Sequence, residues 1–263
     1  MHGDDDAFER ALGFEEAPAH FESASQKARV STEGWARRVG CPNCGAATLE
    51  RLPNNSPVAD FRCPACPEEF ELKSTKGRFG PRVTDGAYGT MRQRLEARNN
   101  PNLMLLAYDA TNNEATDVLV VPKHFFTLDL IDERKPLAAT ARRAGWIGCN
   151  INISRIPQAG RIVLLKDRRW TPRQEVREQW QSTLFLRQAS LDARGWLLEV
   201  MKAVEKIGRH EFTLEEVYAS EALLQAAYPA NRNVRPKIRQ QLQVLRDHGF
   251  LEFTARGVYR LGR

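Results

Sequence analysis

The sequence predicts a mixed α/β (α+β) fold made of two domains, and three observations lead to this prediction. In the first two thirds of the chain, short apolar runs typical of buried strands alternate with segments of helical periodicity. Two Cys-x-x-Cys pairs interrupt this region early. Near residue 185 the pattern changes to three amphipathic helical segments followed by two alternating runs, which indicates a separate domain.

Length and composition limit the class of protein. With 263 residues, the chain is long enough for one or two domains with a sizeable core. Its apolar runs, such as LMLLAY and VLVVP, are too short to span a bilayer, and the acidic start MHGDDDAFER is unlike a secretory signal. We therefore expect a cytoplasmic protein without a membrane partner.

Charge is distributed unevenly along the chain. The first 22 residues hold seven acidic side chains and one arginine, and we expect them to form a flexible arm. The segment 232–263 holds eight basic and two acidic side chains, a surplus equal to the net charge of +6 of the whole chain. A local basic surface favours nucleic acid as a partner, and a solvated charged face is the alternative.

Residues 23–185 form the first predicted domain. The two strands in its middle should pair through the polar turn DATNNE, and the segment 126–154 should be irregular and basic. The helix that starts at Asp85 has a plausible Asp-Gly cap and ends before Pro101. The predicted elements are helices in SASQKARVSTEGWARRVG and DGAYGTMRQRLEARNNP, short strands in DFRC and EEFELKS, and buried strands in NLMLLAY, ATDVLVVP and GRIVLLKD.

Residues 186–263 form the second predicted domain. Helices are expected in SLDARGWLLEVMKAVEKIG, where Trp196 belongs to the core, and in TLEEVYASEALLQAAY, where Thr213 and Glu216 form a capping box. A third helix, NVRPKIRQQLQVLRDHGF, precedes the hairpin GFLEFTARGVYRLGR. Three helices followed by a β-hairpin predict a winged helix-turn-helix.

The cysteine spacing predicts a structural zinc site. Cys41 and Cys44 form one pair, Cys63 and Cys66 the other, and 18 residues separate the pairs. Four thiolates complete a tetrahedral zinc and leave no position for water, so the metal should hold structure rather than catalyse. Cys149 stands apart and is predicted to be a core or loop thiol.

An acidic pair and a lysine flank the second cysteine pair. Glu71 and Lys73 are two residues apart and would share one face of a strand, and Asp60 begins the preceding strand. If the two strands form a hairpin, the zinc turn sets its register and brings Asp60 opposite the Glu71 region. The carboxylates could then hold Mg²⁺, and Lys73 could orient or help deprotonate the attacking water and stabilise the developing oxyanion. The alternative is surface ion pairs on a strand.

Together these motifs resemble the DpnI family of restriction endonucleases. The resemblance covers the chain from about residue 23 onward, and one departure is that Ala59 rather than proline precedes Asp60, with Pro57 two positions earlier. The shared segments are PVADF, the Cys-x-x-Cys pair, EEFELKS, DGAY, KPLAATARRAGWIGCNI, FTLE and IRQQLQVLRD.

The resemblance implies a PD-(D/E)xK nuclease core with an inserted four-cysteine zinc site, followed by a winged helix. It implies a type II restriction endonuclease that cleaves double-stranded DNA at GATC containing N6-methyladenine, by Mg²⁺-dependent hydrolysis. Asp60, Glu71 and Lys73 fall on the nuclease signature, and the four cysteines fall on the zinc ligands. Glu33 is the candidate for a third acidic metal ligand, with a solvent-facing helix glutamate as the alternative.

Two segments are predicted to read DNA. One methyl contact would favour methylated over unmethylated DNA by only about 1–3 kcal/mol, so a strict requirement needs more than one contact. Trp146 lies in the basic loop ARRAGW beside Arg142 and Arg143, and core packing is its alternative. The third helix of the winged domain should enter the major groove, and the wing should touch the backbone. The residues predicted there are Arg235, Lys237, Arg239 and Gln240 on the helix and Arg256 and Arg260 in the wing.

Two other functions fit parts of the pattern. A zinc-ribbon and winged-helix regulator would bind DNA without cutting it, and the intact Asp60, Glu71 and Lys73 argue against it. A repair or recombination nuclease would cut without regard to methylation of GATC. One active site per chain means that cutting both strands takes two chains or two visits, and the sequence leaves the oligomeric state open.

Overall fold

The computed structural model describes residues 24–53, 56 and 59–262. The described chain forms two compact units, one reaching to Ile153 and including Gly160–Gln181, the other comprising Ser154–Ala159 and the chain from Ser182 onward. The predicted acidic arm at 1–22 and Pro57 lie outside the described residues. Among the described helices, none has both the length and the apolar character needed to cross a bilayer.

A mixed seven-stranded sheet forms the centre of the first unit. Its pairs are antiparallel except that β3 (Glu69–Lys76) and β5 (Asn102–Asp109) run parallel, as the long connection between them requires. The predicted pairing of the two middle strands, β5 and β6, is confirmed. In sheet order the strands are β1 (Glu50–Arg51), β2 (Phe61–Arg62), β3 (Glu69–Lys76), β5 (Asn102–Asp109), β6 (Glu114–Val121), β9 (Ile162–Lys166) and β10 (Arg169–Trp170).

The core of the first unit lies around β5. Six consecutive residues of this strand, Asn102 to Ala107, are buried, which is typical of a strand covered on both faces. Two helices supply tryptophans to this core: Trp35 of α1 (Ala24–Val39) contacts Tyr108, and Trp180 of α3 (Arg173–Ser182) contacts Phe70. The helix predicted in SASQKARVSTEGWARRVG is confirmed, because α1 occupies this segment.

A second, three-stranded sheet occurs where the sequence predicted irregular structure and a helix cap. Its order is β4–β8–β7, with β4 at Arg82–Ala87, β7 at Ile131–Glu133 and β8 at Gly148–Asn152. The predicted Asp-Gly cap is wrong, because Asp85 and Gly86 belong to β4. The helix α2 (Tyr88–Ala97) begins after Ala87, which makes no side-chain capping hydrogen bond.

The second unit has the order of a winged helix-turn-helix. One predicted helix is divided, because the chain turns at Ala219 and Ser220 between α5 and α6. A three-stranded sheet of order β11–β13–β12 completes the unit. The elements are α4 (Leu191–Ile207), β11 (Glu211–Thr213), α5 (Leu214–Tyr218), α6 (Glu221–Ala227), α7 (Val234–Asp247), β12 (Leu251–Ala255) and β13 (Val258–Leu261).

Local predictions for this unit are confirmed. The capping box of Thr213 and Glu216 is formed in both directions at the start of α5. Trp196 is a core residue and stacks on Tyr228 with ring centroids 4.1 Å apart. The inward face of α7 is buried at Ile238, Leu242 and Leu245.

Candidate active site and zinc centre

Two tight turns present the four cysteine thiols. The first follows α1: Gly40 has φ of +79°, and a Cβ there would lie 2.6 Å from the Ala46 carbonyl oxygen, so glycine is needed. The amide of Cys41 donates to the same oxygen at 2.8 Å. The second turn joins β2 to β3, and the Cys63 amide donates across it to the Glu68 carbonyl at 2.8 Å.

The sulfur atoms form one compact group. All four lie within 4.8 Å of one another, with Cys41 to Cys66 at 3.6 Å and Cys44 to Cys63 at 3.5 Å. Zinc bonded to four thiolates at ~2.3 Å would separate neighbouring sulfurs by ~3.8 Å, so the group fits tetrahedral zinc. Asn43 Nδ2 donates to Cys66 Sγ at 3.4 Å, a contact that supports a thiolate. The cluster fits a structural zinc site.

The zinc turn lies in the same hairpin as the predicted catalytic residues. Phe61 pairs with Phe70, so Asp60 lies opposite Glu71 as the hairpin prediction required. The amide of Leu72 donates to Asp60 Oδ2 at 2.7 Å, which fixes this carboxylate at the start of β2. The structure therefore brings Asp60 and Glu71 to one end of the hairpin.

Lys73 lies between two carboxylates. Its Nζ is 2.8 Å from Glu71 Oε1 and 2.7 Å from Asp85 Oδ1. Asp85 is not predicted to belong to this group from the sequence, because the pair Asp85–Gly86 before a helical pattern is typical of a cap. The alternation around buried Val83 in RVTD was the signal that could have placed Asp85 on a strand.

Burial and neighbouring charges shift the pKa values in this group in different directions. Burial raises the pKa of Glu71, and the positive charge of Lys73 only partly opposes it. Burial disfavours the charge of Lys73, but Glu71 and Asp85 outweigh it and hold the lysine pKa above its ordinary value. Burial likewise disfavours the Asp85 charge, but Lys73 outweighs it and the carboxyl pKa is lowered. Lys73 and Asp85 are thus both charged at neutral pH.

Glu33, the candidate third acid, has a different partner. Its Oε1 lies 2.9 Å from Arg51 Nη2, on the strand that pairs with β2. Burial raises the pKa of Glu33, Arg51 and Arg29 lower it, and the negative charge of Asp60 raises it further. Glu33 therefore lies near enough to Asp60 to interact with its charge, but its carboxylate is held by an arginine.

The donor atoms of this group suit a hard divalent cation. Asp60, Glu71 and Asp85 with Lys73 carry a formal charge of −2 when ionised, which a divalent cation would neutralise. Within the described part of the chain, only the cysteines place three ligand atoms within 4.8 Å of one another, so the carboxylates form no closed cage. Mg²⁺ does not need one, because it keeps several waters and binds through one or two carboxylates. The residues fit this ion.

The predicted DNA-reading loop connects β7 to β8. Hydrogen bonds from Leu137 to the Trp146 carbonyl and from Gly145 to the Leu137 carbonyl, both of 3.0 Å, close its base. The Arg143 guanidinium carbon lies 4.6 Å from the centre of the Trp146 ring, a cation–π contact, and Arg142 is exposed. Trp146 is half-buried and packs over Gly148, so it is neither a core residue nor fully solvated.

The predicted residues of the winged domain differ in their surroundings. Arg235, at the start of α7, pairs with Glu221 at 2.8 Å, and Arg239 donates to the Tyr218 hydroxyl at 2.7 Å. Lys237 donates to Gln240 at 2.8 Å.

The two wing arginines lie in different places. Arg256 is exposed in the turn between β12 and β13. Arg260 lies instead on β13, the central strand of its sheet, where Glu211 holds it at 3.0 Å.

Comparison with protein families gives matches over most of the chain. Residues 12–189 match the DpnI model, which is described as the Dam-replacing family. Residues 192–261 match a second model, described as the Dam-replacing HTH domain. The boundary between the matches falls just before α4, the first helix of the winged unit.

Proposed function

Because the chain belongs to the Dam-replacing family, we propose that it is a methyl-directed type II restriction endonuclease. It hydrolyses double-stranded DNA at GATC that contains N6-methyladenine, and it requires Mg²⁺. The observation that carries the proposal is the charged group at the β2–β3 hairpin, where Asp60 lies opposite Glu71 and Lys73 is paired with Glu71 at 2.8 Å. This combination differs from surface ion pairing, because Lys73 and Glu71 are half-buried, with side chains that are 24% and 21% exposed.

In this mechanism Asp60 and Glu71 would hold the cation at the end of the hairpin. When bound, Mg²⁺ supplies a water of lowered pKa and offsets negative charge on the phosphate. Lys73 stays protonated, because its pKa is raised by its two carboxylate neighbours once burial is outweighed. Its ammonium therefore donates a hydrogen bond, orienting the attacking water and stabilising charge that develops on the phosphate oxygens. The attacking water gives its proton to solvent as its oxygen bonds to phosphorus, the bond from phosphorus to the 3′ oxygen breaks, and that leaving oxygen takes a proton from solvent.

The zinc centre has no part in the chemistry of this mechanism. Four thiolates leave zinc without a site for water, and the turn of Cys63 and Cys66 instead fixes the ends of β2 and β3. DNA is read by two segments, the loop that carries Arg142, Arg143 and Trp146 and the helix α7. A positive loop and a helix with exposed basic residues suit the phosphates and base edges of the major groove.

The test uses two preparations of one plasmid, with and without N6-methyladenine at GATC, and the purified full chain with Mg²⁺. Cutting of the methylated plasmid alone is the expected result. Cutting of both preparations would keep the nuclease and remove the methyl requirement, as for a repair or recombination nuclease. Cutting of neither, with retained binding of methylated DNA in a gel-shift assay, would identify a non-cleaving regulator.

A further inference from the structure

We propose that Asp85 is a positioning residue for DNA cleavage: its carboxylate shares the Lys73 ammonium with Glu71, which leaves Glu71 able to bind the cation. This inference rests on the proposed nuclease function and adds to it a residue outside the D…ExK pattern. Asp85 acts through Lys73 and is not itself a cation ligand.

The contact between Asp85 and Lys73 is short and buried. Lys73 Nζ lies 2.7 Å from Asp85 Oδ1, and the Asp85 side chain is only 6% exposed, against 21% for Glu71. Removing two charges from water is costly, so a buried pair of this kind is weak evidence for stability. A role in positioning the Lys73 ammonium accounts for a buried pair that stability alone does not explain.

The backbone of β4 directs Asp85 toward the lysine. In the pairing of β4 with β8, Asp85 lies opposite Cys149 and Ala87 opposite Gly148, so the register shifts at Gly86. Such a bulge re-aims the neighbouring side chain and occurs often beside active sites. Because Lys73 lies in the seven-stranded sheet and Asp85 in the three-stranded one, this ion pair joins the two sheets at the candidate active site.

The charge balance explains why a second carboxylate is needed. Without Asp85, Glu71 would be the one acid of this group at salt-bridge distance from the lysine, and a cation would have to displace the ammonium to reach it. With Asp85 present, the ammonium keeps a partner when Glu71 turns to the cation. Lys73 therefore stays fixed by Asp85 while the cation binds beside it.

A double-mutant cycle with the full-length protein tests this assignment. The variants are Asp85→Asn, Lys73→Met and the double variant, and Asp132→Asn is the control. Asp132 lies in the same three-stranded sheet and pairs with Arg82 at 2.8 Å. Three quantities are measured: the single-turnover rate on a duplex with methylated GATC, the affinity for that duplex without divalent ions, and the binding of Mn²⁺ by calorimetry.

We expect Asp85→Asn to slow cleavage about 100-fold, because a misplaced group of this kind costs about that much. Lys73→Met should cost about 1,000-fold, and the double variant should match it within about threefold, since Asp85 acts only through the lysine. DNA affinity and Mn²⁺ binding should stay near the wild-type values in Asp85→Asn. The control should cleave at the wild-type rate.

Four results would overturn the assignment in different ways. Additive losses in the double variant would mean that Asp85 acts independently of Lys73. Loss of Mn²⁺ binding in Asp85→Asn would make Asp85 a cation ligand, and a wild-type rate would give it no role. Failure of the wild-type protein to cut methylated DNA would remove the proposed function itself, and the positioning role with it.

Asp85→Glu is the second variant in case Asp85→Asn does not fold. It keeps the charge but extends the side chain by one methylene, so its rate should lie between those of wild type and Asp85→Asn. A rate below that of Asp85→Asn would contradict a role based on the charge of the side chain.

Discussion

The zinc centre and the candidate active site share the β2–β3 hairpin, but they are assembled differently. Two short turns with their own backbone hydrogen bonds place the four thiols. The charged group instead draws Asp60, Glu71 and Lys73 from one sheet and Asp85 from another. The thiols form a closed ligand set for one ion, whereas the carboxylates form no such closed set among the described residues. A closed set of four thiolates suits a metal that maintains the fold, whereas the open carboxylate group suits the cation of the proposed reaction.

The largest effect should come from breaking the zinc centre. Cys63→Ser should remove the bound zinc and lower the melting temperature by at least about 10 °C, because structural zinc contributes several kcal/mol to folding. Cleavage should be lost with the hairpin. Elemental analysis and calorimetry measure the zinc content and the melting temperature.

Cys149→Ser is the matched control, since Cys149 is a buried thiol outside the cluster whose hydrogen bond to the Gly86 carbonyl a serine can keep. It should retain one zinc per chain. Full stability in a zinc-free Cys63→Ser protein would contradict the structural role of zinc.

Asp60→Asn should have the converse effect, on reaction but not on folding. Its side-chain oxygen can still accept the hydrogen bond from Leu72, so the hairpin and the zinc remain. We expect the cleavage rate to fall at least ~1,000-fold while methylated DNA is bound as before. Single-turnover cleavage and fluorescence anisotropy test the two parts, with Asp167→Asn as a control for the lost charge. Cleavage by Asp60→Asn at the wild-type rate would remove it from the catalytic group.

A third prediction concerns the loop that carries Trp146, which is closed by local hydrogen bonds like the zinc turns. A Cβ at Gly148 would lie 2.8 Å from the Trp146 ring, so Gly148→Ala must move the ring. The preference for methylated over unmethylated GATC should fall about tenfold, at the lower end of what one methyl contact provides. Gly89→Ala is the control, because a Cβ there meets nothing within 4 Å. An unchanged preference would exclude Trp146 from methyl reading.

The smallest predicted effect is on the melting temperature, and it comes from the carboxylate group and not from the zinc centre. Burial raises the pKa of Glu71, so folding without divalent ions disfavours its charged form relative to its neutral form. The stability given by that form is present below the ordinary value of 4.5 and is lost as pH rises through the raised value. Glu71→Gln should therefore raise the melting temperature at pH 7 by about 2 °C, and the gap should close below pH 4.5. A lower melting temperature at pH 7 would contradict this.

The zinc centre and the hairpin could be predicted because their information is local. The spacing of Cys41, Cys44, Cys63 and Cys66 defines the ligand set, and the register of β2 with β3 follows from the short turn between them. The capping box at Thr213 and the buried face of α7 were likewise read from nearby residues.

The second sheet and Asp85 could not be predicted in this way. β7 has one buried residue, Ile131, and it pairs with β8 across a long polar loop. Periodicity in so short a strand is weak, and the pairing partner lies far along the chain. Asp85 belongs to the charged group only because the two sheets contact each other there. No residue spacing within DGAY indicates that contact.

The parallel pairing of β3 with β5 has a consequence for the order of folding. The hairpin can close early, since its strands are neighbours in sequence, but β3 must wait for β5, and β4 must wait for β8. Contacts between distant segments form slowly because loop closure has to precede them. A chain still on the ribosome therefore cannot complete the group of Asp60, Glu71, Lys73 and Asp85 until residues through Asn152 have emerged. Synthesis itself thus delays the moment at which the candidate active site is complete.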